Sequence, residues 1–427
     1  MTQVNAMAHI NHSRQLLQYG HYSLDGFLPR DREGDSFAAF CGTADQRMAV
    51  AVRGMVRAAG YRGIVYLHND PRNYGALLDR LIRQFRTSNP SHPDLPVIDV
   101  NPPGRGEYYY DPLYGLDEEN VLNCIASAAG SGPASQGASG LRARLSDYLY
   151  IARTLSQTAP GVFGTHPYNL DFLLELTEMS YETLDRLVLG GMAVDESQRR
   201  RIRRTLSAEG AALAAADAVR TFASSLDGRL WTRRRFQQHT RHSIVSAVRR
   251  RSVISICLPT PHSGLLDYLD TELDTLLRNS DPFLLVADEA VLRDSRLRER
   301  FLNYHAQAGY STGLLASSLS VITTNYAEDL GRLLSTHQQT AVFAAPNAAV
   351  AEPFSAACGT YFRIVRELHS EHHREWLKIF PGHSWGVSHH ESEQRTVRPD
   401  DLVSLDSGAL LFLEGISIPV LTRYFEL

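Results

Sequence analysis

The amino-acid sequence predicts an α/β fold, with a mostly parallel sheet at the core and an all-α domain inserted into it. Short apolar runs alternate with segments of helical period near the start of the chain and again in its last half, as in proteins whose parallel strands are covered by helices. Residues 141–228 lie between these parts and show helical periods throughout. Residues 130–140, rich in glycine and serine, precede them and have the composition of a flexible linker.

The first part of the core begins with a helical period over residues 44–59, which Gly60 ends. The apolar run at residues 63–68 is typical of a buried strand, and a second helical period follows over residues 74–85. Residues 95–100 are typical of the next strand. This alternation of helix and strand predicts parallel pairing.

The insertion and the second part of the core follow from the same patterns. Helices are predicted at residues 141–156, 168–179, 181–189, 197–206 and 209–225. Strands are predicted at residues 253–258, 283–287, 313–316, 339–344 and 408–412. The predicted organisation is therefore an N-terminal segment (1–36), the first part of the core domain (37–135), the inserted all-α domain (141–228) and the second part of the core domain (236–427).

Composition and charge predict an ordinary globular protein. The chain has 427 residues, of which 43% are hydrophobic, and its formal net charge is -4, so it has no overall attraction for nucleic acid. Its 4 cysteines show no C-x-x-C spacing, which argues against a zinc site or a disulfide framework. The polar residues 1–14 and the lack of a long apolar stretch predict a cytoplasmic protein without a membrane span.

An apolar strand that ends in two carboxylates is the most informative stretch of the sequence. Residues 283–287 run directly into Asp288 and Glu289. In P-loop ATPases, carboxylates at this position hold Mg²⁺ and orient the attacking water. The alternative is an ordinary structural role, in which Glu289 caps the helix that follows.

An ATPase of this class also needs a glycine-rich loop, G-x-x-x-x-G-K-[ST], whose N–H groups and lysine hold the phosphates. Gly42 and Thr43 match the opening of such a loop. Arg47 then stands at the second glycine, Met48 at the lysine and Ala49 at the hydroxyl that binds Mg²⁺. The position of the motif is present but its chemistry is not, so we expect at most weak nucleotide binding and no hydrolysis.

Further segments follow in the order of one protein family: Asp70-Pro71, residues 110–113, 252–259, 304–313 and 393–405. Together with the loop and the acidic strand, they resemble the coupling proteins of conjugation and type IV secretion, the TraD/TraG-like branch of the hexameric RecA-type motors related to FtsK and HerA. The resemblance extends from about residue 37 to residue 421. It implies a RecA-like P-loop NTPase core, in which Ser317 stands where the family has the glutamine that senses the γ-phosphate.

The resemblance implies a subunit of a conjugative or type IV secretion-like transfer system. With its degenerate phosphate loop, the subunit would act in assembly or substrate recruitment rather than in ATP hydrolysis. ATP and Mg²⁺ are the cofactors that the family implies, with Asp288 as the metal ligand if Mg-nucleotide binds. The implied partners are components of the transfer apparatus at the inner membrane, among them a catalytically active paralogue. DNA and further copies of the chain in an oligomer are compatible with the resemblance, but the expected role does not require DNA.

Two other functions fit the same residues. One is an active but atypical ATPase motor for DNA or protein translocation, in which Arg47 or a more distant lysine such as Lys378 replaces the missing one. The other is a soluble adaptor that binds DNA-processing or secreted proteins through its helical domain.

Clusters of arginine and histidine are the remaining candidate sites. Arg249, Arg250 and Arg251 precede a core strand, and we expect them at a surface that contacts nucleic acid or a partner subunit. For the arginines at residues 199–204, a solvated helix face is the favoured interpretation. The histidines at residues 369–373 and 389–390 lack the spacing of a metal site, so a surface role is expected.

Overall fold

The computed structural model describes the backbone over most of the chain. The described residues are 22–27, 36–69, 74–99, 108–129, 138–158, 166–179, 182–183, 186, 195–207, 209–226, 240–258, 263–303, 310–319, 326–337, 339–373, 382–413 and 418–427. The predicted helix at residues 181–189 lies largely outside them.

The strands are, in chain order, β1 (Tyr22–Ser23), β2 (Phe37–Phe40), β3 (Gly63–His68), β4 (Val97–Asp99), β5 (Tyr108–Tyr110), β6 (Thr240–His242), β7 (Val253–Cys257), β8 (Phe283–Asp288), β9 (Tyr310–Ala316), β10 (Gln339–Val342), β11 (Thr360–His373), β12 (Gly382–Arg395), β13 (Ala409–Leu413), β14 (Ile418–Thr422) and β15 (Phe425–Glu426).

The helices are α1 (Leu24–Phe27), α2 (Ala44–Ala58), α3 (Tyr74–Ser88), α4 (Glu118–Ala128), α5 (Ala138–Thr158), α6 (Leu170–Glu178), α7 (Glu196–Ser207), α8 (Glu209–Leu226), α9 (Ile244–Arg249), α10 (Ser263–Arg278), α11 (Ser295–Asn303), α12 (Tyr326–Thr336), α13 (Ala348–Ala357) and α14 (Pro399–Val403). No helix among the described residues is both long and apolar enough to cross a bilayer.

The chain forms two compact units, which we name by their place in the sequence. The terminal unit comprises residues 1–29, 38–50 and 316–427, and the central unit comprises residues 30–37 and 51–315. The division passes within β2, α2 and β9. The inserted helical segment is grouped with the parallel strands of the central unit.

The core of the central unit is a row of parallel strands in the order β9-β8-β3-β7-β4. All residues of β3 and β7 are buried, as expected for strands with helices on both faces. Phe37 packs so closely on Gly54 and Gly313 that a Cβ added at either glycine would lie within 2.5 Å of its ring. Only glycine fits at these two positions.

The connections of the central strands change direction at β3 and β8. From β3 the chain passes through α3 to β4, beyond β7, whereas from β8 it continues to β9 on the opposite side. In open α/β sheets, the carboxyl ends of two strands at such a point are a common place for a ligand. His68 ends β3 and Asp288 ends β8, so both lie at this edge.

The helical part of the central unit is built from α4 to α8, which pack on one another and on α10. Buried side chains such as Leu149, Phe172 and Phe222 form its core. Asp117 and Asn169 cap α4 and α6 by accepting N–H groups of the first turn, which fixes where these helices begin. Two details differ from the sequence prediction: α4 joins the helical group, and α5 begins at Ala138, inside the predicted linker.

The terminal unit contains mixed pairings. Its strands lie in the order β14-β13-β10-β2, with antiparallel pairs between β10 and β13 and between β13 and β14. Strands β11 and β12 form a long antiparallel ribbon, and β1 pairs with β15 in parallel. The rings of Phe27 and Phe343 lie 5.7 Å and 6.0 Å from the ring of Phe425, so the first and last described segments share one apolar cluster.

The predicted fold class is confirmed. The structure is α/β, most strands of its large sheet are parallel, and the segment after the glycine-rich linker is helical in its described residues. Strands β3, β7, β8 and β10 lie within one or two residues of their predicted bounds. The ribbon of β11 and β12 was not predicted, nor were the short pairs of β1 with β15 and β5 with β6.

Candidate functional site: a closed turn and an acidic strand end

The candidate phosphate loop forms a tight turn between β2 and α2 in the terminal unit. Cys41 and Gly42 both adopt positive φ angles, 59° and 64°. The N–H of Cys41 donates to the carbonyl of Ala316, and the N–H of Gly42 donates to the carbonyl of Ala344, each at 2.9 Å. Ala316 is the last residue of β9 and Ala344 follows β10, so both N–H groups have acceptors within the protein.

The side chains of the turn close the N-terminus of α2. The Thr43 N–H donates to Oε1 of Gln46 at 2.8 Å, and the Gln46 N–H donates to Oγ1 of Thr43 at 3.2 Å. This reciprocal pair is a capping box, which satisfies N–H groups that a helix start otherwise leaves open. Asp45 adds a negative charge in the first turn, which stabilises the helix dipole and opposes a second anion there.

Arg47 directs its guanidinium group at the turn itself. Its Nη1 donates to the carbonyl oxygens of Cys41 and Gly42 at 3.0 Å and 2.9 Å. The cation that sequence analysis placed near a phosphate is thus bound to backbone carbonyls of its own loop. Arginine donates through a fixed planar fork, so these bonds set the direction of the whole group.

The remaining predicted loop positions lie inside α2. The helix begins at Ala44, so Met48 and Ala49 belong to its second turn. Met48 is half-buried and Ala49 is buried. A Cβ added at Gly42 would lie 2.4 Å from both Gln46 Oε1 and Phe343 Cβ, so the inside of the turn is filled by protein. The N–H groups of residues 41–43 thus all have acceptors within the protein.

The acidic pair lies at the end of β8 in the central unit. Asp288 is half-buried and accepts a hydrogen bond from the hydroxyl of Tyr66 at 3.3 Å. Glu289 is also half-buried, and its N–H donates to the carbonyl of Leu315 at 2.8 Å. The third predicted position, Ser317, is half-buried in the terminal unit.

A buried histidine beside the acidic strand was not found by sequence analysis. The ring of His68 stacks between Tyr66 and Tyr74, at 4.8 Å and 4.7 Å between ring centroids. Its Nε2 lies 3.1 Å from Oγ of Ser255 on β7. The alternation of Tyr66 and His68 at the end of an apolar strand was the available signal, because residues two apart share one face of a sheet.

The arginines before β7 have structural partners. Arg249 forms an ion pair with Asp281 at 3.0 Å, and Nη1 of Arg251 donates to the carbonyl of Gly60 at 3.1 Å. Arg251 has a φ of 55° and its N–H donates to the carbonyl of Val248, as in a left-handed helix C-cap. All three arginines of the run, Arg250 included, are exposed.

Two further titratable groups are buried in the central unit. Glu272 is fully buried, accepts the Val245 N–H at 3.1 Å and the Tyr268 hydroxyl, and burial raises its pKa to about 8. His166 accepts the Gly115 N–H through Nε2 at 3.1 Å, and burial lowers its pKa below the ordinary value. The described residues include no group of three His, Cys, Asp or Glu side chains positioned to hold a metal ion.

Comparison with known proteins gives matches to solved structures alone. No protein-family model matches the sequence, and no curated protein does. The unbound bacterial conjugative coupling protein TrwB is 13% identical, with a TM-score of 0.42 over 96% of this chain and 89% of that one. TrwB in complex with ADP and Mg²⁺ gives 0.44 at 13% identity, over 96% and 90%.

A third structure is more distant. VirB4 of Thermoanaerobacter pseudethanolicus is 13% identical, with a TM-score of 0.37 over 76% of this chain and 82% of that one.

Proposed function

We propose that this chain is a coupling-protein-like subunit of a conjugative or type IV secretion-like transfer system, which acts in assembly or substrate recruitment without hydrolysing nucleotide. The observation that carries the proposal is the closed turn at residues 41–43. Its three N–H groups donate to Ala316, Ala344 and Gln46. The order of sequence motifs supports this class of apparatus, and the closed turn supports the absence of hydrolysis.

The contacts that the turn lacks would supply a large part of the rate acceleration in an ATPase. Phosphoryl transfer depends on positioned N–H donors, a lysine and Mg²⁺, which stabilise charge in the transition state. Removing one such donor costs roughly 10² to 10³ in rate, and here Met48 and Ala49 stand at the predicted lysine and hydroxyl positions. The side chains of Thr43 and Gln46 would have to leave the turn before any phosphate could approach.

The structure also weakens the case for an atypical ATPase. That function requires the Arg47 guanidinium to replace the missing lysine, but Nη1 of this group donates to two carbonyls of its own loop. At the acidic strand end, the Tyr66 hydroxyl donates to Asp288. The carboxylate oxygen that would face Mg²⁺ or its bound water in an ATPase thus has a hydrogen-bond donor within the protein. The other candidate lysine, Lys378, lies outside the described residues.

A pair of isosteric proteins tests the proposal. The purified chain and its Glu289→Gln variant should hydrolyse ATP at the same background rate, because neither protein catalyses the reaction. The substitution removes a charge without changing volume, so both proteins should fold alike. Saturable binding of a fluorescent ATP analogue should be absent below about 1 mM. Turnover in the parent protein that the variant loses would establish an active ATPase and overturn the proposal.

A second experiment addresses the role in transfer. In the native host, a Glu289→Gln allele should restore transfer to a deletion strain as well as the parent allele does, and the tagged protein should co-purify with components of the transfer apparatus, including a catalytically active paralogue. An allele that co-purifies normally but fails to restore transfer would show that the acidic pair acts in catalysis.

A further inference from the structure

The loop at residues 111–117 of the central unit, which joins β5 to α4, is bonded at Gly115 to a histidine of a distant segment. The N–H of Gly115 donates to Nε2 of His166 at 3.1 Å. His166 lies four residues before α6, so this bond links the approach to α4 with the approach to α6. We propose that His166 is a proton-operated latch, which holds the two approaches together when its ring is neutral and releases them when the ring gains a proton. This inference goes beyond the proposed function and does not depend on it.

Gly115 is the point at which the loop relies on an acceptor from another segment. The N–H groups on either side of it, at residues 113–114 and 116, donate to oxygen atoms of the loop itself. Gly115 has a φ of 88°, which glycine adopts without the strain that other residues would carry. The loop can therefore change its course at Gly115 when the bond to His166 is lost, while its other turns persist.

The bond requires a neutral ring. An imidazole nitrogen accepts a hydrogen bond only when it carries no hydrogen, so the ring proton of neutral His166 must be on Nδ1. A second proton can then add only at Nε2, and both nitrogens become donors. The charged ring would place its Nε2–H against the N–H of Gly115 and turn an attraction into a repulsion. Protonation of His166 and its bond to Gly115 therefore exclude each other at one atom.

The charged groups around this junction already have other partners. Glu118 of α4 accepts the Tyr168 hydroxyl at 2.8 Å and pairs with Arg153 of α5 at 3.0 Å. Asp111 is buried in the loop and accepts two backbone N–H groups, and Asp117 caps α4. All three carboxylates thus have donors other than the ring of His166.

Aromatic rings and a serine complete the surroundings of the histidine. The ring centroids of Tyr114 and Tyr168 lie 4.6 Å and 6.4 Å from that of His166. From the start of α9, Ser243 donates its hydroxyl to the carbonyl of Tyr114. Burial among these groups disfavours a charged ring and lowers the pKa of His166, and a hydrogen bond to the Tyr168 backbone acts in the opposite direction. The latch is therefore closed at neutral pH and opens in mild acid.

Two other bonds limit how far the junction opens. The Tyr168 hydroxyl donates to Glu118, and the N–H of Leu170 donates to Oδ1 of Asp111 at 3.4 Å. Neither bond involves the ring of His166, so both remain when that ring is charged. We expect acid to loosen the loop around Gly115 and to leave the helices of the central unit folded.

Hydrogen exchange of the full chain, followed by mass spectrometry on peptides that cover residues 111–118, tests the latch. After correction for the intrinsic pH dependence of exchange, protection of these peptides should fall about 10-fold between about pH 7.5 and pH 5, as expected for the loss of one hydrogen bond. The midpoint of this loss should lie below about pH 6.5. Peptides from β7 and α10 should keep their protection over the same range.

Three variants separate the latch from other effects of acid. His166→Gln supplies a carbonyl oxygen that accepts a hydrogen bond and does not titrate, so its protection should stay near the parent's value at neutral pH throughout. His166→Phe supplies no acceptor and should show low protection at both ends of the range. The matched control is His92→Gln, which removes an exposed histidine of the same unit and should leave the parent's pH dependence unchanged.

Four outcomes would overturn the inference. One is a parent protein whose loop peptides are equally protected in acid and at neutral pH. Another is a His166→Gln variant that loses protection in acid as the parent does, or a His166→Phe variant that keeps the parent's protection at neutral pH. A third is a His92→Gln control that abolishes the pH dependence. The last is a parallel loss of protection in β7 and α10, because acid would then unfold the unit as a whole.

Discussion

Replacing the buried carboxylate Glu272 should change how the stability of the protein depends on pH. Glu272 is fully buried on α10, where the Val245 N–H and the Tyr268 hydroxyl donate to it. Burial raises its pKa from 4.5 to about 8. The folded protein therefore holds a proton that the unfolded chain releases between these values, so the free energy of unfolding falls as pH rises from 4.5 to 8.

The size of the effect follows from the two pKa values. Each pH unit between them changes the free energy of unfolding by about 1.4 kcal/mol, which gives at most about 5 kcal/mol between pH 4.5 and pH 8. Glutamine has the shape of the neutral acid and can accept the Val245 N–H through its carbonyl oxygen. The Glu272→Gln variant should therefore equal the parent near pH 5 and exceed it by about 2 to 5 kcal/mol near pH 8.5.

Urea unfolding across about pH 5 to 8.5 measures this difference, because other titrating groups contribute equally to both proteins. The control is Glu119→Gln on α4, an exposed glutamate, whose curve should stay parallel to that of the parent. A Glu272→Gln variant that grows less stable than the parent as pH rises would show that the carboxylate is ionised and stabilising in the fold, which would refute the reasoning.

Three further predictions concern the turn, a helix end and the histidine. Thr43→Ala removes one half of the capping box and should lower the free energy of unfolding by about 1 kcal/mol, whereas Thr43→Ser should not; equal loss in both would exclude the box. Arg251→Gly should raise stability by about 1 kcal/mol because φ is 55° there, and Arg250→Gly, at a φ of -84°, should lower it in the same urea assay. The pKa of His166, measured by NMR, should lie below the ordinary histidine value, since burial lowers this pKa. The buried neutral ring therefore contributes fully to the free energy of unfolding above pH 6.5, and this contribution is lost as pH falls. A titration midpoint above 6.5 would contradict the buried neutral ring.

The central strands and helix α2 were predictable because their patterns are local. The apolar run at residues 63–68 became β3 with the predicted bounds, and the helical period at 44–59 became α2 at Ala44–Ala58. The capping box was also present in the sequence, since Thr43 and Gln46 have the T-x-x-Q spacing of such a box. The phosphate-loop motif instead aligned residues 47–49 with phosphate- and metal-binding positions, and these residues lie inside the helix.

The rest depends on contacts between distant residues. The pair of β1 with β15 joins two-residue strands from opposite parts of the chain, and strands this short have no periodicity to detect. The ribbon of β11 and β12 is polar and rich in histidine, unlike the apolar runs typical of strands. The use of the Arg47 guanidinium on carbonyls of its own turn depends on backbone direction, which the sequence pattern does not encode.

The pairing of β1 with β15 also orders events during synthesis. The apolar cluster of the terminal unit cannot form until both ends of the described chain are present, because Phe425 packs against Phe27 and Phe343. The ribosome makes residue 425 almost 400 residues after residue 27, whereas residues 51–315 of the central unit are complete well before residue 425. Domains fold as they emerge, so residues 51–315 can fold before Phe425 is available to pack against Phe27.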